Sequence, residues 1–192
     1  MGFIAITRAI SASIERCELT HAARTPIDVK RAREQHAAYE SVLASLGCDV
    51  RRIPEDDRFP DAVFIEDTAI VLDELAILTR PGAESRRGEV DAVAEVLGDY
   101  RTVSRIDDPG TLDGGDVLLL DRVLYVGQSL RTNSRGIDNL RALEMIYLFD
   151  DEQVVHVGIV ADPTDASDPA GAAVVHPIDP EQHRSTDFGG NE

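Results

Sequence analysis

Four short segments of the sequence concentrate the residue types that act on a charged small molecule. The first is Pro60-Asp61-Ala62-Val63-Phe64-Ile65-Glu66-Asp67, three carboxylates at the ends of an apolar run that reads as a four-residue strand. Solvated turn acids are the ordinary account of such residues. Gathered on one rim, they would receive a cation, and a guanidinium in particular, through paired charge-assisted hydrogen bonds. The second segment is Leu112-Asp113-Gly114-Gly115-Asp116. Its glycines admit positive φ and close backbone approach, as a plain hairpin turn also would. They would let Asp113 stand at a pocket wall and orient a histidine. The third and fourth segments are Arg80-Pro81-Gly82-Ala83-Glu84-Ser85-Arg86-Arg87 and Arg131-Thr132-Asn133-Ser134-Arg135-Gly136. Each sets arginine beside an expected helix start, where the helix dipole disfavours a cation. An anionic ligand group such as an α-carboxylate would account for both; exposed arginines without a role are the alternative.

Other chemistries are poorly provided for. There is no CxxC and no HxxxH, and His156, His176 and His183 are irregularly spaced, so no metal is expected. Neither a GxxxxGK loop nor a GxGxxG fingerprint occurs, and no cofactor is expected. The 192 residues carry 36 acids against 19 bases, a net charge of −17. That balance argues against nucleic acid as a partner. No apolar run approaches a membrane span, and the opening MGFIAITRAISA is too short for a signal peptide. A cytoplasmic protein with free thiols at Cys17 and Cys48 is the expectation.

The elements that must position these segments can be read from periodicity. Met1–Ile6 reads as a strand and 28–46 as a helix, with Ala37, Val42, Leu43 and Leu46 near a 3.6 period and Gly47 as its stop. Strands are expected at 48–53, 62–65, 68–72 and 75–79, then a helix over about 85–97 with Val90, Val93, Ala94 and Leu97 on one face. Strands near 100–103, 117–120 and 123–127 precede a third helix from about 132 through Leu140, Leu143 and Ile146. Strand-strand-helix units thus recur about every 50 residues. Beyond 150 only 154–160 reads as a strand. The segment 150–192 is rich in Pro, Asp and Ala, carries ten acids and one base, and reads as disordered. The division expected is a folded domain over 1–149 followed by that tail.

Taken in order, PDAVFIED (60–67), LTRPGAESRRGEV (78–90), TLDGGDVL (111–118) and VGQSLRTNSRG (126–136) resemble the dimethylarginine dimethylaminohydrolases of the guanidino-group-modifying superfamily. TRAISASIERCEL (7–19) and REQHAAYESVLASLG (33–47) extend the resemblance over about residues 3–141. It implies an α/β fold of the pentein type, a propeller of five ββαβ-type units of which this chain holds about three. It implies hydrolysis of Nω-methylated arginine to citrulline and a methylamine. In that reaction a C-terminal cysteine attacks the guanidinium carbon, and a histidine oriented by an acidic residue moves protons. By the match, Asp113 is that acidic residue. Asp61, Glu66 and Asp67 contact the substrate guanidinium and amine, Arg86 and Arg131 hold its carboxylate, and Leu19 closes over it.

The sequence also departs from the pattern. No cysteine follows Cys48, and no His-Leu-Lys-Ser segment follows RTNSRG; His156 stands near the required distance among unmatched neighbours. The chain is expected to be truncated or frame-shifted after about residue 143, inactive alone, and prone to self-association through open strand edges. A non-catalytic guanidino-binding or interaction module, and a related guanidine hydrolase such as an arginine deiminase, are the alternative readings.

Overall fold

The computed structural model describes residues 3–19, 23–73, 75–120, 123–147 and 156–160. It is built from three successive units of strands and helices. The first has β1 (Ile4–Arg8), α1 (Val29–Ser45) and β2 (Asp49–Ile53), with the two strands parallel and Arg8 opposite Ile53. The second has β3 (Ala69–Val71), β4 (Leu75–Leu78), α2 (Val90–Leu97) and β5 (Thr102–Arg105). The third has β6 (Val117–Leu120), β7 (Val123–Gly127), α3 (Ser134–Tyr147) and β8 (His156–Val160). The last two share one topology: an antiparallel hairpin, then a helix, then a strand parallel to the hairpin's second member.

This topology decides where the loops go. Antiparallel pairing sets Ala69, at the start of β3, against Leu78, at the end of β4. Likewise Val117, at the start of β6, lies against Val126, near the end of β7. The segments that enter β3 and β6 therefore share one end of the molecule with those that leave β4 and β7. All four chemical segments are among them. An isolated bridge between Arg80 and Leu112 joins the second and third units at that end.

The central strand is β4, whose four residues are fully buried. Strand alternation sends its side chains to opposite faces. Leu75 and Ile77 enter a core with Leu112, Leu124, Val126, Ile137 and Leu140 of the third unit. Ala76 and Leu78 enter a second core with Ile53, Val93 and Leu97. Each large aliphatic side chain buried here contributes about 1.5–3 kcal/mol, so β4 fixes both neighbouring units. Helix α2 buries the face its periodicity predicts: Val90, Val93 and Leu97 are buried and Ala94 packs beside them.

Three expectations need correction. Residues 62–65 form no strand; they lie in turns that lead into a 3-10 turn at Ile65–Thr68. The preceding backbone closes on itself, with Phe64 N–H donating to Asp61 O. The apolar stripe of α1 is not its packed face, since Ala37, Val42 and Leu46 are exposed. The helix instead packs through Glu40, its one buried residue. Glu40 accepts hydrogen bonds from Thr7 Oγ1 at 2.7 Å and Arg52 Nε at 2.8 Å. Finally, Gly47 has φ +89° at the end of α1, as expected, whereas Gly114 and Gly115 have no positive φ. Most of the acidic tail expected beyond residue 150 lies outside the described residues; the strand expected there is β8, where His156 pairs with Val123 at the start of β7.

Candidate functional site

The acidic residues and arginines singled out above meet where the second and third units join. Asp67 lies in the 3-10 turn entering β3, and its Oδ1 accepts from Gly115 N–H at 3.0 Å. Asp113 precedes β6, is 2% exposed, and its Oδ1 accepts from Gly82 N–H at 3.0 Å. The units therefore exchange reciprocal bonds, each giving a backbone N–H to the other's carboxylate. The glycines are required by this proximity. A Cβ on Gly115 would lie 2.6 Å from Asp67 Oδ1, and one on Gly82 would lie 2.5 Å from Arg131 Cα. Close approach, not a special φ, is what both sites need.

Asp61 is 5% exposed and anchors a different segment. Both its oxygens accept from Glu18 N–H, each at 3.1 Å. That contact draws the 12–19 segment onto the carboxylates, with Leu19 beside it, 42% exposed. Ser85 Oγ adds a second tie, donating to Glu18 Oε1 at 2.6 Å. Glu66 is exposed; its backbone, not its carboxylate, is what the 113–116 turn packs against.

Arg86 is buried among the carboxylates. Its Nη1 donates to Asp67 Oδ2 at 2.7 Å, and its Nε and Nη2 donate to Glu89 Oε2 at 3.1 and 3.0 Å. The cation beside a helix start thus has an internal anion, Glu89, which is 0% exposed. The sequence carried a signal for it, because residues three apart on a helical turn are neighbours. The Arg131 side chain is 43% exposed; its Nη2 donates to Asp116 Oδ1 at 2.9 Å, and its Nε lies 3.2 Å from Asp113 Oδ2. Asp116 Oδ2 in turn accepts from Ser129 Oγ and Thr132 Oγ1, both at 2.7 Å. Asp116, Thr132 and Glu89 had been given no role by sequence reasoning.

The electrostatics follow from burial. Desolvation pushes the Asp61 carboxyl above its ordinary range, against the Glu18 N–H, and the nearby Asp67 charge adds to the rise. Asp113 is raised for the same first reason, with Asp67 again adding and the Gly82 N–H opposing. Burial acts against the Arg86 charge too, but its hydrogen bonds to Glu89 and Asp67 outweigh it and raise the pKa. The Arg131 pKa is raised by its hydrogen bond to Asp116. Chemically, the site combines carboxylates suited to a guanidinium or amine with two arginines suited to a carboxylate.

Residues elsewhere are differently placed. His156 pairs with the start of β7, whereas the 131–136 segment leaves its end, so about 13 Å of strand separates them. Cys48 precedes β2, at the end remote from Ile53, and Cys17 is buried after a 3-10 turn. A cleft of about 250 Å³ beside α1 is lined by Arg33, His36, Arg52 and Glu55. Its arginines are both matched by carboxylates, Arg33 by Glu55 and Arg52 by Glu40. Among the described residues no group of His, Cys, Asp and Glu is arranged to hold a metal, and no helix is long and apolar enough to cross a membrane.

Residues 7–149 match the model of a protein family described as N,N dimethylarginine dimethylhydrolase, eukaryotic. An N(G),N(G)-dimethylarginine dimethylaminohydrolase of Pseudomonas aeruginosa is 42% identical over 118 residues, 60% of this chain and 46% of that one. Its counterpart in Streptomyces coelicolor is 40% identical over 139 residues, 72% of this chain and 54% of that one. The chain thus spans about half the length of the curated relatives it matches. A solved structure of the Pseudomonas aeruginosa enzyme, a mutant complexed with citrulline, superposes with a TM-score of 0.77 at 34% identity. The overlap covers 85% of this chain and 62% of that one, and it identifies the three units as part of an α/β propeller of the pentein type.

Proposed function

Since the chain belongs to the dimethylarginine dimethylaminohydrolase family, we propose that its carboxylate–arginine site receives a guanidino amino acid, an Nω-methylated arginine first of all. In this reading the site is the binding part of a hydrolase that yields citrulline and a methylamine. The observation that carries it is the gathering of Asp61, Asp67 and Asp113 around Arg86, with Arg131 beside Asp113. A zwitterionic substrate with a guanidinium at its far end needs both kinds of group. Asp61, Glu66 and Asp67 are assigned to its guanidinium and amine, and Arg86 and Arg131 to its carboxylate. Leu19, on the segment tied down by Asp61, is assigned to close over it. Asp113, buried and held by Gly82, is assigned to orient a histidine.

Turnover also needs a thiolate to attack the guanidinium carbon. Cys48 stands at the far end of β2 and the Cys17 thiol is buried, so neither is assigned that role. The reading is therefore that this 192-residue chain binds without hydrolysing.

The test is a thermal-shift and calorimetric series at matched ionic strength with dimethylarginine, arginine and guanidinium. Stabilisation in the order dimethylarginine, arginine, guanidinium is expected, with no citrulline released. Equal shifts from all three would remove the reading. A preference for unmethylated arginine would favour an arginine deiminase, and citrulline release lost in Cys17→Ser or Cys48→Ser would show that a nucleophile had been overlooked.

A further inference from the structure

The charged cluster contains a fully buried carboxylate for which the substrate reading has no use. Glu89 is 0% exposed at the junction between the 3-10 turn Glu84–Glu89 and α2. The charged groups that face it are Arg86 from its own turn, Asp61 from the segment after β2, and Arg8 from the end of β1. Arg8 is itself 2% exposed. Its Nη1 donates to the Glu89 backbone oxygen at 3.1 Å, so the first unit holds this turn from behind.

What Glu89 does to Arg86 follows from guanidinium geometry. The group is planar, with five N–H donors in a fixed fork. Glu89 occupies the edge formed by Nε and one hydrogen of Nη2. The second Nη2 hydrogen is directed at the carbonyl oxygens of Asp61 and Phe64, at 3.4 and 3.5 Å. Asp67 takes one hydrogen of Nη1 at 2.7 Å. Among the described residues one Nη1 hydrogen is left over. Because the fork is rigid, fixing the Nε/Nη2 edge also fixes the direction of that last donor.

We infer that Glu89 is a positioning residue for recognition of the substrate head group. By clamping one edge of Arg86 it aims the uncommitted Nη1 hydrogen at the ligand carboxylate, while Arg8 keeps the clamp in register. This inference rests on the substrate reading above. It predicts an effect confined to ligands that carry a carboxylate.

The experiment is calorimetric titration of the full chain, wild type, Glu89→Gln and Glu89→Asp, with arginine and with its decarboxylated counterpart, agmatine. Glu89→Gln removes the charge but keeps the size. Its affinity for arginine should fall about tenfold or more, the worth of one charge-assisted hydrogen bond, with agmatine changed less than about twofold. Glu89→Asp should recover part of the loss. Equal losses for both ligands would assign Glu89 a structural role only and overturn the inference. Absence of arginine binding by the wild type would instead remove the substrate reading beneath it. A second measurement does not depend on the variants folding. The Arg86 Nε proton, followed by NMR in the wild-type chain, should exchange slowly both with and without arginine; rapid exchange would show that no clamp exists.

Discussion

Gly114→Ala offers the most searching test of how the site is assembled. A Cβ at Gly114 would fall inside the contact radius of the Glu66 carbonyl oxygen and lie 3.1 Å from the Glu66 carbonyl carbon. Both are backbone atoms and neither can swing aside. Restoring an ordinary separation requires the 113–116 turn and the Ile65–Thr68 turn to part by roughly 1 Å. The Gly115 N–H to Asp67 bond, now 3.0 Å, would then exceed the range of a hydrogen bond. Loss of a bond to a charged group costs about 1.5–3 kcal/mol, and forced overpacking about 1–3 kcal/mol. Asp67 keeps 21% side-chain exposure, so solvent recovers part of the first figure and a total of roughly 2–4 kcal/mol is expected. Urea unfolding measures it. The control is Gly47→Ala, where φ is +89° and nothing lies within 4 Å of the added carbon, so strain alone should cost about 1–2 kcal/mol. Dimethylarginine affinity should fall in the first variant and stay unchanged in the second. A Gly114→Ala chain with wild-type stability and wild-type affinity would refute the argument that this glycine brings the two units together.

Three further outcomes are expected. Asp116→Asn replaces an acceptor of two hydroxyls and one arginine by a group with only one acceptor atom, and should cost about 1–2 kcal/mol. Calorimetry should also show weaker binding of carboxylate-bearing ligands, because Arg131 loses the hydrogen-bonded partner that holds it in place and keeps only Asp113. Glu40→Ala should cost roughly 2 kcal/mol by leaving Thr7 unpaired beneath α1; amide exchange should quicken along α1 while β4 stays protected. On pH, Asp61, Asp113 and Glu89 have folded pKa values raised chiefly by burial. Their contribution to stability is therefore full in acid and lost as pH rises through those raised values. A bound guanidinium favours the charged forms, so the arginine-induced shift in melting temperature should grow from about pH 4 towards neutrality. A ligand shift independent of pH would count against carboxylates at the site. Asp56 works in the opposite sense, since hydrogen bonds from Arg58 hold it down to about 2; its contribution declines only as pH falls below the ordinary carboxylate range.

Much of this is legible in the sequence alone. The buried face of α2, the αL stop at Gly47 and the strands of the last two units follow from periodicity and turn chemistry, which are local. The acidic and arginine segments also announced themselves by residue type. What escaped was non-local. AVFI has the composition of a strand, but the backbone of 61–68 is spent on tight turns that deliver Asp61 and Asp67, and composition does not record where hydrogen bonds go. The apolar stripe of α1 misled because a two-stranded sheet offers that helix little to cover. It is held instead by Glu40, whose partners Thr7 and Arg52 lie on different strands. Like charges gathered this closely repel, which by itself raises carboxylate pKa values. The values are raised, but desolvation leads, because Arg86 stands among the charges that would otherwise repel.

The pairing of those charges bears on selectivity. Within the second unit Arg86 is matched by Asp67 and Glu89, and within the third Arg131 is matched by Asp116 and Asp113. Each unit thus pairs its arginine from its own sequence, with carboxylates in excess of the arginine. A ligand must compete with these internal pairs. Guanidinium alone would draw a carboxylate from an arginine and leave that arginine short of one partner in a partly buried place, which offsets what its own contacts contribute. An amino acid that carries both a guanidinium and a carboxylate exchanges the pairs and gives the arginine a replacement partner. Selection for the whole zwitterion would then arise from this exchange of pairs, with Arg86 and Arg131 acting through the partners they give up as much as through those they gain. Replacing Asp116 and Arg131 together by Asn and Met should therefore restore much of the stability lost in Asp116→Asn while abolishing the preference for arginine over agmatine. A double variant that regains the preference would show that selectivity has another source.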